Sequence, residues 1–168
     1  YVTTLDASTI ALLKRSSSSL VGVFVDASFE EIVGKIKEFQ LDMVQLHGKE
    51  NVELGHQLKA QGLKVIKVFG VDDVLPVDEM KPWQLVADFF LFDTKSSDHG
   101  GTGRKFNWEA LAAYDLDTPF LIGGGIDVAD IEAIRSLQLK KLVGVDTNSK
   151  LEVRPGLKNL EKVKEMKE

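Results

Sequence analysis

The strongest constraint on this chain is an alternation. A short run of Val, Ile, Leu and Phe is followed by a segment with helical spacing, and the pattern recurs along the sequence. Residues 20–25 (LVGVFV) are too few and too β-branched for a buried helix and read as a strand. Ser28 and Glu31 then have capping-box spacing. Phe29, Ile32, Val33, Ile36 and Phe39 repeat every three to four residues, which predicts a helix with one apolar face. The same reading predicts strands at 42–47, 64–69, 89–93, 120–123 and 142–146. It predicts helices at 51–60 (closed by Gly62), 107–114, 128–137 and 157–166, and a weaker helical stretch interrupted by Pro76 and Pro82. The last helix is expected to carry Leu157, Leu160, Val163 and Met166 in register. Residues 1–19 supply at most one short helix over 6–14 and a linker-like serine run.

Strict βαβα order predicts an α/β protein with a parallel sheet covered by helices. Two architectures satisfy it, a doubly wound open sheet and part of a (β/α)8 barrel. A full barrel averages ~250 residues, about 31 per unit, so 168 residues supply five or six units of a single domain. With 43% hydrophobic residues there is material for a sizeable core. A net charge of −5 without a basic block argues against nucleic acid as a partner. The chain has no Cys, which excludes a disulfide scaffold, thiolate-bound zinc and a cysteine nucleophile within these residues. No apolar run approaches the ~20 residues needed to span a bilayer, and no secretory signal opens the chain, so the expectation is a cytoplasmic protein without a membrane partner. The first residue is Tyr1 rather than Met, and the sequence is expected to be part of a longer gene product.

In either architecture, chemistry collects beyond the C-terminal ends of the strands. Asp26 ends the first strand and reads as an ordinary loop start. Gln45 and His47 share a strand face by parity; a polar pair there is either a wet interior pocket or a mutually satisfied structural pair. Asp93 ends the apolar run FFLF and is a candidate general acid, the alternative being a carboxylate that binds a loop amide. The loop from Lys95 to Lys105 holds Gly100, Gly101 and Gly103, the composition of a mobile lid or of plain disorder. Gly100–Gly101, Gly123–Gly125 and the segment Asp146–Ser149, which includes Asn148, are candidate anion-binding turns. Glycines let backbone N–H groups approach a phosphate, and the loops after the last two barrel strands often make that site.

Together these segments resemble the phosphoribosylanthranilate isomerase family, (β/α)8 barrels of tryptophan biosynthesis. The matching strings are GVFVD (22–26), VQLHGKE (44–50), FDTKSSDHGGTGRKFNW (92–108), LIGGGI (121–126), GVDTNS (144–149) and EVRPGLKN (152–159), in family order. The resemblance implies an Amadori rearrangement of N-(5-phosphoribosyl)anthranilate to 1-(2-carboxyphenylamino)-1-deoxyribulose 5-phosphate, with no metal or cofactor. An acid protonates the ribose ring oxygen and opens the sugar to a Schiff base; a base then removes the C2 proton to give the enolamine. It further implies that Asp93 is the acid, that Gly101, Gly123, Gly124, Gly125, Asp146, Asn148 and Ser149 belong to the substrate and phosphate site, and that Gln45 and His47 line the substrate pocket. Asp146 is expected to shape its loop rather than touch the anion. The only partner implied is a phosphorylated small molecule, for a monomer or homodimer.

The departures are as informative. The family's base is a Cys in a K-x-C-G string, and its anthranilate carboxylate meets an Arg that would precede Tyr1. The chain therefore reads as strands three to eight of the barrel without the first two βα units, and residues 1–168 alone are expected to be inactive. Lys150 stands where Gly is usual, and Asn159 where Asp is usual. Two other readings remain: a degenerate barrel fragment that only binds a sugar phosphate, and a related phosphate-binding barrel such as an indole-glycerol-phosphate synthase, against which the D-T-K…G-G-T-G string argues.

Overall fold

The structure, a computed structural model, describes residues 7–15, 18–95 and 105–166. In chain order the elements are α1 (Ala7–Lys14), β1 (Val21–Phe24), α2 (Phe29–Phe39), β2 (Met43–Leu46), α3 (Val52–Ala60), β3 (Lys64–Val71), α4 (Val77–Met80) and β4 (Phe89–Thr94). Then follow β5 (Phe120–Ile122), α5 (Ile131–Ser136), β6 (Leu142–Val145), a hairpin of β7 (Glu152–Arg154) and β8 (Leu157–Lys158), and α6 (Leu160–Glu165). They form two compact units, residues 1–68 with 82–88, and residues 69–81 with 89–168. Among the described residues no helix is long and apolar enough to cross a membrane.

In the first unit β1, β2 and the first half of β3 run parallel, with Val23 opposite Gln45 and Gln45 opposite Ile66. Val44, Leu46 and Val65 are fully buried, as are Ile32 of α2 and Leu58 of α3. The helices start where their caps dictate. The Ser28 hydroxyl accepts the Glu31 N–H while the Glu31 carboxylate accepts the Ser28 N–H, and Asn51 accepts from Leu54 N–H. Asp42 ties α1 to the start of β2, accepting from Lys14 at 2.5 Å and from the Leu20 N–H at 2.7 Å. Helix α3 approaches Trp83 and Val86 so closely that a Cβ on Gly55 would lie 2.6 Å from each side chain. Val21 and Val23 of β1 remain exposed, as does Val25 just after it.

In the second unit β4, β5 and β6 are parallel, Phe90 lying opposite Phe120 and Phe120 opposite Leu142. Phe90, Leu91 and Phe92 are all buried, so β4 is covered on both faces, as the unbroken apolar run requires. Aromatic pairs make much of this core: Phe69 meets Phe90 edge-on at 5.1 Å between ring centres, Tyr114 meets Phe120 edge-on at 4.8 Å, and Phe92 and Phe120 lie tilted at 5.1 Å. Burial pushes the Tyr114 phenol up to about 12, and its hydroxyl donates to Thr118 O at 2.5 Å.

Two predicted helices differ. Residues 107–114 form a 3-10 helix over Trp108–Ala113, capped by Asn107. The predicted helix at 157–166 begins only at Leu160. Leu157 and Lys158 extend instead to pair with β7 across Pro155–Gly156, where Gly156 has φ +81°, and Asn159 caps the shorter helix. Leu160 is consequently exposed, and no residue of α6 is buried.

Loops after β5 and β6 are cross-tied by α6. The Lys162 ammonium donates to Asp127 at 3.2 and 3.3 Å and to Lys150 O at 2.9 Å. Burial opposes the Asp127 charge, but the Val128 N–H and the Lys162 ammonium outweigh it and hold the carboxyl below its ordinary range.

Two outcomes follow from this packing. Gly55→Ala should destabilise by about 1–2 kcal/mol in urea titration despite the better helix propensity of Ala, because the buried Trp83 ring must shift. Gly34→Ala, with nothing within 4 Å of its Cβ, should stabilise by about 0.5–1 kcal/mol, and equal signs for the two variants would refute the packing argument. A depressed Asp127 contributes stability above its unfolded value of about 4, lost as pH falls through the folded value. Asp127→Asn should therefore cost about 0.5–1 kcal/mol near neutrality and flatten the acid limb of the stability curve. Parallel curves for the two proteins would exclude the tie.

Candidate active site

In the second unit the strand ends bring together most of the residues singled out from the sequence. β4 delivers Asp93 to its C-terminal edge, half-buried, with its carboxylate accepting the Thr94 N–H at 2.7 Å. The turn after β5 is held against β4 by the Gly123 N–H, which donates to Phe92 O at 2.7 Å. β6 is held to β5 in the same way by the Asp146 N–H, donating to Ile122 O at 2.7 Å. Asp93, Gly123–Gly125 and Asp146 thus lie on neighbouring strand ends.

Gly124 is where the residue type is dictated. Its φ is +90°, and a Cβ there would lie 2.4 Å from Thr94 Oγ1, 2.9 Å from Thr94 N and 3.0 Å from Asp93 Oδ1. The bare glycine backbone therefore rests directly against the Asp93 carboxylate. Gly125 also has positive φ, +70°. The chain returns from the loop after β4 onto the same spot, the Phe106 N–H donating to Thr94 Oγ1 at 3.2 Å. Gly101 and the rest of the candidate lid, 96–104, lie outside the described residues.

The turn after β6 is built around Lys158. Its ammonium donates to Asn148 O at 2.9 Å, to the Asn148 side-chain oxygen, and to Glu152 at 2.8 Å. This ammonium also holds the Glu152 carboxyl below its ordinary range. The Asn148 side chain is thereby engaged in shaping its own loop, and Ser149 opens a 3-10 turn, Ser149–Leu151, with its side chain exposed.

Gln45 and His47 belong to the first unit. Gln45 is buried and His47 half-buried, and Gln45 Nε2 lies 3.4 Å from His47 Nδ1, so the two share a face as strand parity predicts. The His47 N–H donates to Phe24 O at 2.8 Å. Asp26 has φ +52°, and its carboxylate accepts the Lys49 N–H at 2.6 Å, the loop role expected of it.

Sequence reasoning missed Lys67 and Glu50. They form an ion pair at 2.7 Å with side-chain exposures of 5% and 1%, behind the loop that carries His47. The available signal was a lysine in the middle of the apolar run VIKVF, an expensive residue for a strand covered on both faces.

The family model for N-(5'-phosphoribosyl)anthranilate (PRA) isomerase matches residues 3–168. The N-(5'-phosphoribosyl)anthranilate isomerase of Parabacteroides distasonis is 39% identical over 148 residues, which are 88% of this chain and 67% of that protein. The one from Phocaeicola vulgatus is 42% identical over 139 residues, 83% of this chain and 68% of the relative. The crystal structure of the Thermus thermophilus phosphoribosyl anthranilate isomerase superposes with a TM-score of 0.74 at 26% identity, covering 94% of this chain and 75% of that one. The α/β architecture is that of a (β/α)8 barrel, and the chain belongs to the N-(5'-phosphoribosyl)anthranilate isomerase family.

Proposed function

We propose that this chain carries the acid and the phosphate site of an isomerase that converts N-(5'-phosphoribosyl)anthranilate to 1-(2-carboxyphenylamino)-1-deoxyribulose 5-phosphate. The observation that carries the reading is that Gly124 leaves no room for a side chain beside the Asp93 carboxylate, a Cβ there lying 3.0 Å from Asp93 Oδ1, in a chain of this family. A sugar phosphate whose anion sits on the turn amides presents its ring to a carboxyl group on the adjacent strand end. Asp93, protonated, gives its proton to the ring oxygen as the bond from that oxygen to C1 breaks. The electron pair of the anthranilate nitrogen closes the Schiff base. Loss of the C2 proton then gives the enolamine, which tautomerises to the ketose. Gln45 and His47 are assigned to the substrate pocket, Gly101 to the phosphate site, and Asp146 to the shape of the turn that carries Asn148 and Ser149.

The family's base is a cysteine, and none occurs among these 168 residues. The proton abstraction at C2 is therefore not assigned to any of them. The alternative reading is a barrel fragment that binds a sugar phosphate without turning it over. Both readings need the phosphate site; only the first needs Asp93 as an acid.

In an active enzyme carrying this sequence, Asp93→Asn should lower kcat by ~10²–10⁴ while KM changes little, measured by steady-state fluorescence of the anthranilate. Unchanged turnover would remove Asp93 from the reaction. Inorganic phosphate should perturb the amide resonances of Gly123–Gly125 and of Asn148–Ser149 in a titration. Perturbations confined to Gly100–Gly103 would move the anion to the lid.

A further inference from the structure

The Glu50–Lys67 pair is buried more completely than any other ion pair among the described residues. It is also fully satisfied. Lys67 Nζ donates to Glu50 at 2.7 Å, to Gly48 O at 2.7 Å and to Leu46 O at 3.4 Å, one acceptor for each ammonium proton. The Glu50 carboxylate in turn accepts the Gly48 N–H at 2.9 and 3.0 Å and the Asp26 N–H at 3.1 Å. The ammonium also stands 5.4 Å from the centre of the buried Trp83 ring.

A buried ion pair is a poor way to gain stability, since apolar residues of similar volume usually do as well or better. Lys67 lies in register beside Leu46, within a layer of buried aliphatic side chains, where an apolar residue would fit. What an apolar pair would lose is direction. The two carbonyls that Lys67 holds belong to Leu46 and Gly48, the residues on either side of His47. The Gly48 N–H is held by Glu50, and the His47 N–H by Phe24 O. Both peptide groups flanking His47 are thus fixed from behind the sheet. The loop is packed so tightly that a Cβ on Gly48 would lie 2.6 Å from Asp26 N.

We infer that Glu50 and Lys67 are positioning residues that aim the His47 imidazole by clamping the backbone on both sides of it. The inference rests on the assignment of Gln45 and His47 to the substrate pocket. Neither member of the pair touches substrate; Lys67 acts through Leu46 O in the Leu46–His47 peptide, and Glu50 through the Gly48 N–H in the His47–Gly48 peptide.

The test uses Lys67→Met with Glu50→Leu in one active enzyme carrying this sequence. The double variant leaves no unpaired charge and should melt cooperatively, with a midpoint at or above that of the parent. The ¹⁵N resonances of the His47 ring should nevertheless shift, and KM should rise roughly tenfold with kcat held within about threefold, because substrate placement is disturbed while the acid is not. A folded double variant with parental His47 ring resonances and parental KM overturns the proposal. Should it fail to fold, Glu50→Gln, which preserves volume, is read by the same two measurements and the same criterion. His47→Ala separates the two levels. Parental KM in that variant removes His47 from the pocket, while the ring resonances of the double variant still decide whether the clamp exists.

Discussion

Parallel pairing is the constraint on which the rest depends. A parallel strand cannot hand its chain to a neighbour through a tight hairpin, so each of the parallel strands β1 to β5 must be followed by a return segment before the next begins. The parallel strands within each unit therefore end on the same side, and the residues at those ends, Asp93, Gly123–Gly125 and Asp146 in one unit and Asp26 and His47 in the other, are gathered without any local sequence instruction. Covering such strands on both faces also makes their interiors apolar, and polar groups are pushed to the rim.

The rim is organised by lysines bound to carbonyl oxygens. Lys67 holds Leu46 O and Gly48 O, Lys158 holds Asn148 O, and Lys162 holds Lys150 O, and each also meets a carboxylate. An ammonium suits this task because its three donors can serve acceptors from unrelated segments at once. The turns themselves are too short to satisfy their own backbone groups, so cations from neighbouring strands and helices do it. The site loops are thus shaped by residues that lie outside the loops, on β3, β8 and α6.

The parts of the fold legible in the sequence were those written in hydrophobic period and caps. Ser28 with Glu31, Asn51 and the run FFLF behave as patterning predicts, and so does the shared face of Gln45 and His47. The failures have a common source in that patterning weighs each residue by class and not by partner. Leu157 looked helical because its spacing to Leu160 is right, yet strand pairing with β7 claimed it, and the usable signal was the Pro155–Gly156 turn followed by the cap Asn159. Lys67 and Glu50 escaped because a charge in the sequence reads as surface until its partner, seventeen positions away, is known. Lys158 and Lys162 escaped for the same reason, although both lie in or beside a string that matched the family.

The contact at Gly124 has a consequence for how such a site can change over generations. The glycine backbone occupies the space beside the Asp93 carboxylate, and the left-handed conformation excludes nearly every other residue whether or not space is available. A longer acid at position 93 would press into the turn, and any side chain at 124 would press into the acid. The two positions compete for one space, so their substitutions will not combine additively. A lineage that abandons the chemistry is released from the demand for an acid at 93 but not from the left-handed turn at 124, so in descendant sequences the acid should be lost before the glycine.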